Sequence, residues 1–70
     1  MNWEQVSGNW KQYKGKVREQ WAKLTDSDID AIAGHRDQLV GQIQKTYGLA
    51  KDVAEKQVDE FSRRLEGTRH

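Results

Sequence analysis

The chain has no cysteine and no proline, a single methionine, a single phenylalanine and only two histidines. Without cysteine there is neither a disulfide staple nor a thiolate metal site, and a reducing cytoplasm is the natural compartment. Without proline, nothing forbids a helix anywhere along the chain. No apolar run approaches the roughly 20 residues of a membrane span, and the N-terminus lacks the charged-then-apolar order of a signal peptide. A cytoplasmic protein with no membrane partner is therefore expected. Seventy residues bound it to one domain, filling 1–70, with a thin core and with 66–70 as a frayed tail.

The same scarcity limits chemistry. His35 falls at a helix start and His70 at the end of the chain, and serines 7, 27 and 62 fall at caps or exposed helix positions. A cleft that shields acid and base groups needs more protein than this. We expect no enzyme, no catalytic residue, no cofactor and no metal site. The alternating Asp26, Asp28 and Asp30, with Asp37 at the twelfth place, look like the start of a calcium loop, but Ala31 stands where that loop needs glycine and the last ligand is not glutamate. Helix capping explains the same aspartates.

Charged residues make up 33% of the chain and hydrophobic ones 34%, with a mean hydropathy of −1.07, a mixture suited to helices with wide solvated faces. The net charge of +1 hides an uneven layout. Residues 1–24 carry five lysines and arginines against two glutamates, whereas 25–34 carry three aspartates and no base.

Trp3, Val6, Trp10, Tyr13, Val17, Trp21 and Leu24 are spaced by three and four residues, which gives one apolar stripe on a helix over 3–23, with Asn2 as its cap. "LTDSDI" then holds the strongest local signal: Thr25 as N-cap, Asp28 three later, and Leu24 with Ile29 as a hydrophobic staple. That starts a helix over 26–33 with Ile29 and Ile32 inward and Gly34 as its stop. A third helix spans 35–47, with Leu39, Val40, Ile43 and Tyr47 on one face and Gly48 as its stop. The fourth spans 50–65, with Ala54, Val58, Phe61 and Leu65 inward. Its outer face offers Asp52 with Lys56, Asp59 with Arg63 and Glu60 with Arg64 as pairs four apart.

Shifted by 26 residues, Gly8, Gln12, Tyr13, Gly15, Val17 and Trp21 fall on Gly34, Gln38, Leu39, Gly41, Ile43 and Tyr47. This weak repeat suggests an all-α architecture of two helical hairpins packed across each other, helices one with two and three with four.

One stretch invites a functional reading. On helix one Lys11, Lys14 and Arg18 share a flank of the stripe, and with Lys16 they are the candidate contacts for a partner or for nucleic acid. The repeat favours a structural stripe, because its second copy keeps the apolar positions and replaces Lys11, Lys14 and Arg18 with Asp37, Val40 and Gln44. The tryptophans are then core, and the lysines local. Gly8, Gly15 and Gly41 point away from the stripe, either as exposed glycines the helix tolerates, or as places where another backbone comes close, or as softness that lets helix one detach.

The run "GNWKQYKGKVREQWAKLTDSDIDAIAGHRDQLVGQIQKTYG", followed by "AEKQVDEF", resembles the CsbD-like family of small bacterial general stress proteins over nearly the whole chain, from Trp3 to Phe61. The resemblance implies a small four-helix array of two crossed hairpins and a cytoplasmic protein that accumulates under stress and in stationary phase. It carries over no catalytic residue. Ala50 departs from the polar cap that members often have, which would leave the start of the fourth helix looser. The expected function is that of a non-enzymatic stress-response protein acting as a helical interaction module, monomeric or weakly self-associating, with another protein as its partner. The rivals are a nucleic-acid binder using the basic flank and a hydrophilic protectant.

Overall fold

A computed structural model describes residues 3–67. They form five helices, α1 (Trp3–Gly8), α2 (Trp10–Gln20), α3 (Asp26–Ile32), α4 (Arg36–Tyr47) and α5 (Lys51–Gly67). Every expected helix is present. The count rises from four to five because the first one bends at Asn9, which leaves the helical well at φ −115°, ψ 30°. The Asn9 N–H is shared between the carbonyls of Gln5 and Val6 at 3.2 Å each, and its side-chain amide donates to the same Gln5 carbonyl at 3.0 Å. A short polar side chain thus competes with the ladder at the point where the ladder turns.

The first helical unit also ends three residues earlier than expected, because Trp21 departs at φ −126°, ψ 79°. It departs in order to pack. Trp21 is buried, its ring centroid lies 5.0 Å from that of Phe61, and its indole N–H donates to Gln57 Oε1 at 3.1 Å. Residues 21–25 become a turn, pinned where the Lys23 N–H donates to the Tyr47 hydroxyl at 3.1 Å while the Lys23 ammonium lies 5.3 Å from the centre of the same ring.

α3 starts as its sequence dictates. Thr25 Oγ1 accepts from the Asp28 N–H and Asp28 Oδ2 accepts from the Thr25 N–H, both at 3.1 Å, a reciprocal capping box. The helix stops one residue early, with Ala33 in the left-handed region at φ 51° and Gly34 following at φ 80°. Gly34 does more than end a helix. A Cβ there would stand 2.8 Å from Ser7 Oγ and 3.0 Å from Ser7 Cα, so only glycine lets α1 lie against this turn. Gly8, Gly15 and Gly41 are exposed and open, with nothing within 4 Å of an added Cβ, so no other backbone of this chain comes close to them.

α4 begins at Arg36 and α5 at Lys51, each one residue later than expected, and α5 runs two residues past Leu65 to Gly67. The rest of the expected tail and the Asn2 cap lie outside the described residues. The three pairs expected along α5 do not close. Asp59 instead meets Arg36 on α4 at 2.8 Å, and Arg64 donates to Gln20 on α2 at 2.7 Å, so side chains expected to support their own helix join it to others.

α4 is central, packed against α3 on one side and α5 on the other, and α2 packs against α3. The core draws on all five helices: Val6, Trp10, Val17, Ile29, Ile32, Leu39, Val40, Ile43, Ala54, Val58, Phe61 and Leu65, with Trp21 and Leu24 from the turn. Trp3, Tyr13, Tyr47 and Leu49 pack on it half-buried. The three tryptophans are held by hydrogen bonds as well as by packing. Trp3 donates to the Gly34 carbonyl at 2.6 Å, Trp10 to the Ile29 carbonyl at 3.1 Å and Trp21 to Gln57. Each indole N–H meets a different later element, so the aromatic stripe is the wall that its spacing implied.

Candidate interaction surface

The candidate basic residues sit on α2, whose buried face is fixed by Trp10 and Val17. At 100° per residue, Lys11, Lys14 and Arg18 fall within one sector beside that face, and Lys16 falls on the other flank. The structure brings three of the four together and separates Lys16, which pairs with Glu19 one turn on at 3.9 Å.

The shared flank faces acid from its own chain. Lys14 is ion-paired with Asp30 and Arg18 with Asp26, both partners on α3. The basic first third and the acidic stretch after it therefore answer one another across the α2–α3 contact. Lys11 alone of the four makes no ion pair among the described residues. The pairs are open to water, with side chains between 36% and 75% exposed, so each contributes at most about 1 kcal/mol. They orient α3 on α2 more than they stabilise it, and a phosphate reaching Lys14 or Arg18 must compete with a carboxylate.

A second charged seam was not legible in the sequence. Arg36, at the first turn of α4, reaches Asp59 at 2.8 Å and Glu55 at 4.0 Å on α5. Both acids lie on another helix, Asp59 being 23 residues along the chain from Arg36, and spacing within one helix gives no signal for such a meeting. Arg36 also lines a shallow groove with Trp3, Ser7, Gly34 and His35, where α1 crosses the turn before α4.

Among the described residues Asp28 is the one whose acidity is distinctly perturbed. Its carboxyl is held below the ordinary aspartate value, first by the Thr25 N–H and the Thr25 hydroxyl, against an opposing desolvation, with smaller help from Gln42 and Lys45. The cause is a helix cap, and the residue is half-buried at the start of α3 rather than set in a cleft. Among the described residues no side chain that is polar or charged is buried, and no three histidine, aspartate or glutamate residues stand close enough to hold a metal ion. Val53 is the one large hydrophobic that lies exposed among them. No helix of the described residues is long and apolar enough to cross a membrane.

Comparison with known proteins adds what geometry does not. The chain is 59% identical over 66 residues to the UPF0337 protein YjbJ of Escherichia coli (strain K12), covering 94% of this chain and 96% of that protein. It is 58% identical over 64 residues to the YjbJ protein of Salmonella typhimurium, covering 91% of each. With the UPF0337 protein ECA0631 of Pectobacterium atrosepticum it shares 64% identity over 58 residues, 83% of this chain and 84% of the other. Residues 4–56 match the CsbD-like family model, a span running from α1 through the capping box, the Gly34 turn and α4 into α5, and the chain belongs to the CsbD-like family.

Proposed function

We propose that this chain is a non-enzymatic protein of the bacterial stress response, working in the cytoplasm as a small helical interaction module whose partner is another protein. The observation that carries this reading is that, among the described residues, every buried side chain is apolar. Acid and base chemistry needs ionisable groups screened from water and placed near one another. Here the ionisable groups stand at the surface, and what the molecule offers a partner is the shape and charge of its helices. The pairing of Lys14 and Arg18 with Asp30 and Asp26 weighs toward a protein partner rather than nucleic acid.

Site-specific photo-crosslinkers placed at exposed positions of each helix, in stressed cells, test this. Adducts of one size from a contiguous set of positions support it, and no adduct from any position overturns it. Titration with short duplex DNA at low salt is the companion measurement. We expect no shift of the α2 amide signals; binding that falls steeply with salt and is lost on Lys14→Glu with Arg18→Glu would transfer the function to nucleic acid.

A further inference from the structure

α1 and α2 carry one stripe between them. Trp3, Val6, Trp10, Tyr13 and Val17 alternate spacings of three and four, the pattern of a single straight helix with one apolar seam, yet the backbone bends at Asn9. Straightening that bend need not sacrifice the ladder. The Asn9 N–H already donates to Gln5, and its carbonyl already accepts from Tyr13 at 3.2 Å. Changes of roughly 50° in its φ and 70° in its ψ, from −115° and 30° to the usual helical values, would make one helix of the two.

What maintains the bend is the docking of α1 along its length. Trp3 donates to the Gly34 carbonyl at 2.6 Å, Ser7 lies directly on Gly34, and Val6 is fully buried. On the outer side nothing opposes straightening, because Gly8 is open and Asn9 is exposed. A six-residue helix does not persist alone in water. α1 needs either this dock or continuity with α2.

We infer that α1 is an exchangeable strap: with Asn9 straightened it leaves its own 33–35 turn and docks on the same turn of a second copy, giving a reciprocal dimer. In that dimer each Trp3 indole donates to the Gly34 carbonyl of the other copy. The contacts are the same in both forms, so concentration and the backbone preference of residue 9 decide between them. Asparagine is a weak helix former and holds the balance toward the monomer.

The test compares wild type, Asn9→Ala and Gly8→Ala by light scattering from micromolar to millimolar concentration, with circular dichroism to verify that each is folded. Residue 8 is helical in both forms, so Gly8→Ala leaves the monomer–dimer balance where it was. Residue 9 is helical only in the dimer, so Asn9→Ala strengthens dimerisation by about tenfold, from an about threefold helix preference in each of two chains. In a mixture of isotope-labelled and unlabelled Asn9→Ala, a filtered spectrum then shows the Trp3 indole of one copy against Gly34 of another. An Asn9→Ala chain that stays monomeric at millimolar concentration overturns the strap. So does a Gly8→Ala chain that dimerises equally well, or a dimer whose Trp3 and Gly34 contact remains within one chain.

Discussion

An alanine at position 34 would place its Cβ 2.8 Å from Ser7 Oγ on a backbone held at φ 80°. Both effects oppose it, and we expect Gly34→Ala to lower stability by about 2 kcal/mol. The same substitution at Gly15 or Gly41, each inside a helix with open space around it, should raise stability by about 0.5–1 kcal/mol. Urea midpoints of the three variants measure the contrast. Ala33 is the converse case: it occupies a left-handed conformation at φ 51° that costs a side chain about 1 kcal/mol, so Ala33→Gly should stabilise by up to that amount. In the sequence, Gly34 reads as a helix stop. Its second role, as the seat of Ser7 and the acceptor for Trp3, depends on a segment 31 residues away along the chain, and local pattern carries no trace of that.

Among the elements, α3 owes its start to Thr25 and Asp28, and this part of the fold was fully legible because a capping box is written within four residues. Thr25→Ala should cost about 1 kcal/mol. Because the cap holds the Asp28 carboxyl below its ordinary value, the folded chain takes up that proton less readily than the unfolded one. The contribution is therefore complete above the usual aspartate range of about 4 and fades as pH falls through and below it. Thermal melts of wild type and Asp28→Asn should differ most near neutrality and converge in acid; a difference that stays constant with pH would remove the carboxylate from the account. The apolar faces were legible for the same reason as the cap, since period and residue type are local, and every residue placed inward is buried or half-buried. The bend at Asn9 was not, because the contacts that accompany it, Trp3 and Ser7 against Gly34, join segments far apart in the chain. Nor were the true partners of Asp59 and Arg64, since an acid three or four residues from a base looks like a pair until a neighbouring helix presents a better one.

For the whole molecule, charge organises the helices more than it holds them. The pairs of Lys14 with Asp30 and Arg18 with Asp26 are exposed, so raising salt from a few millimolar to molar should shift stability by no more than about 1 kcal/mol, as read from urea midpoints. Reversing one partner, as in Asp26→Lys, sets like charges together across the α2–α3 contact and should destabilise more than Asp26→Asn does. The main cohesion is apolar, and its layout has a temporal consequence. The indoles near the start of the chain donate to Ile29, Gly34 and Gln57, across separations of 19, 31 and 36 residues. During synthesis the first part of the chain leaves the ribosome with none of these acceptors yet made. These tryptophans lack their full set of acceptors until Gln57 has emerged, so the helices close as a unit only after that point, and a nascent chain stalled before Gln57 offers its aromatic stripe to whatever chaperone meets it first.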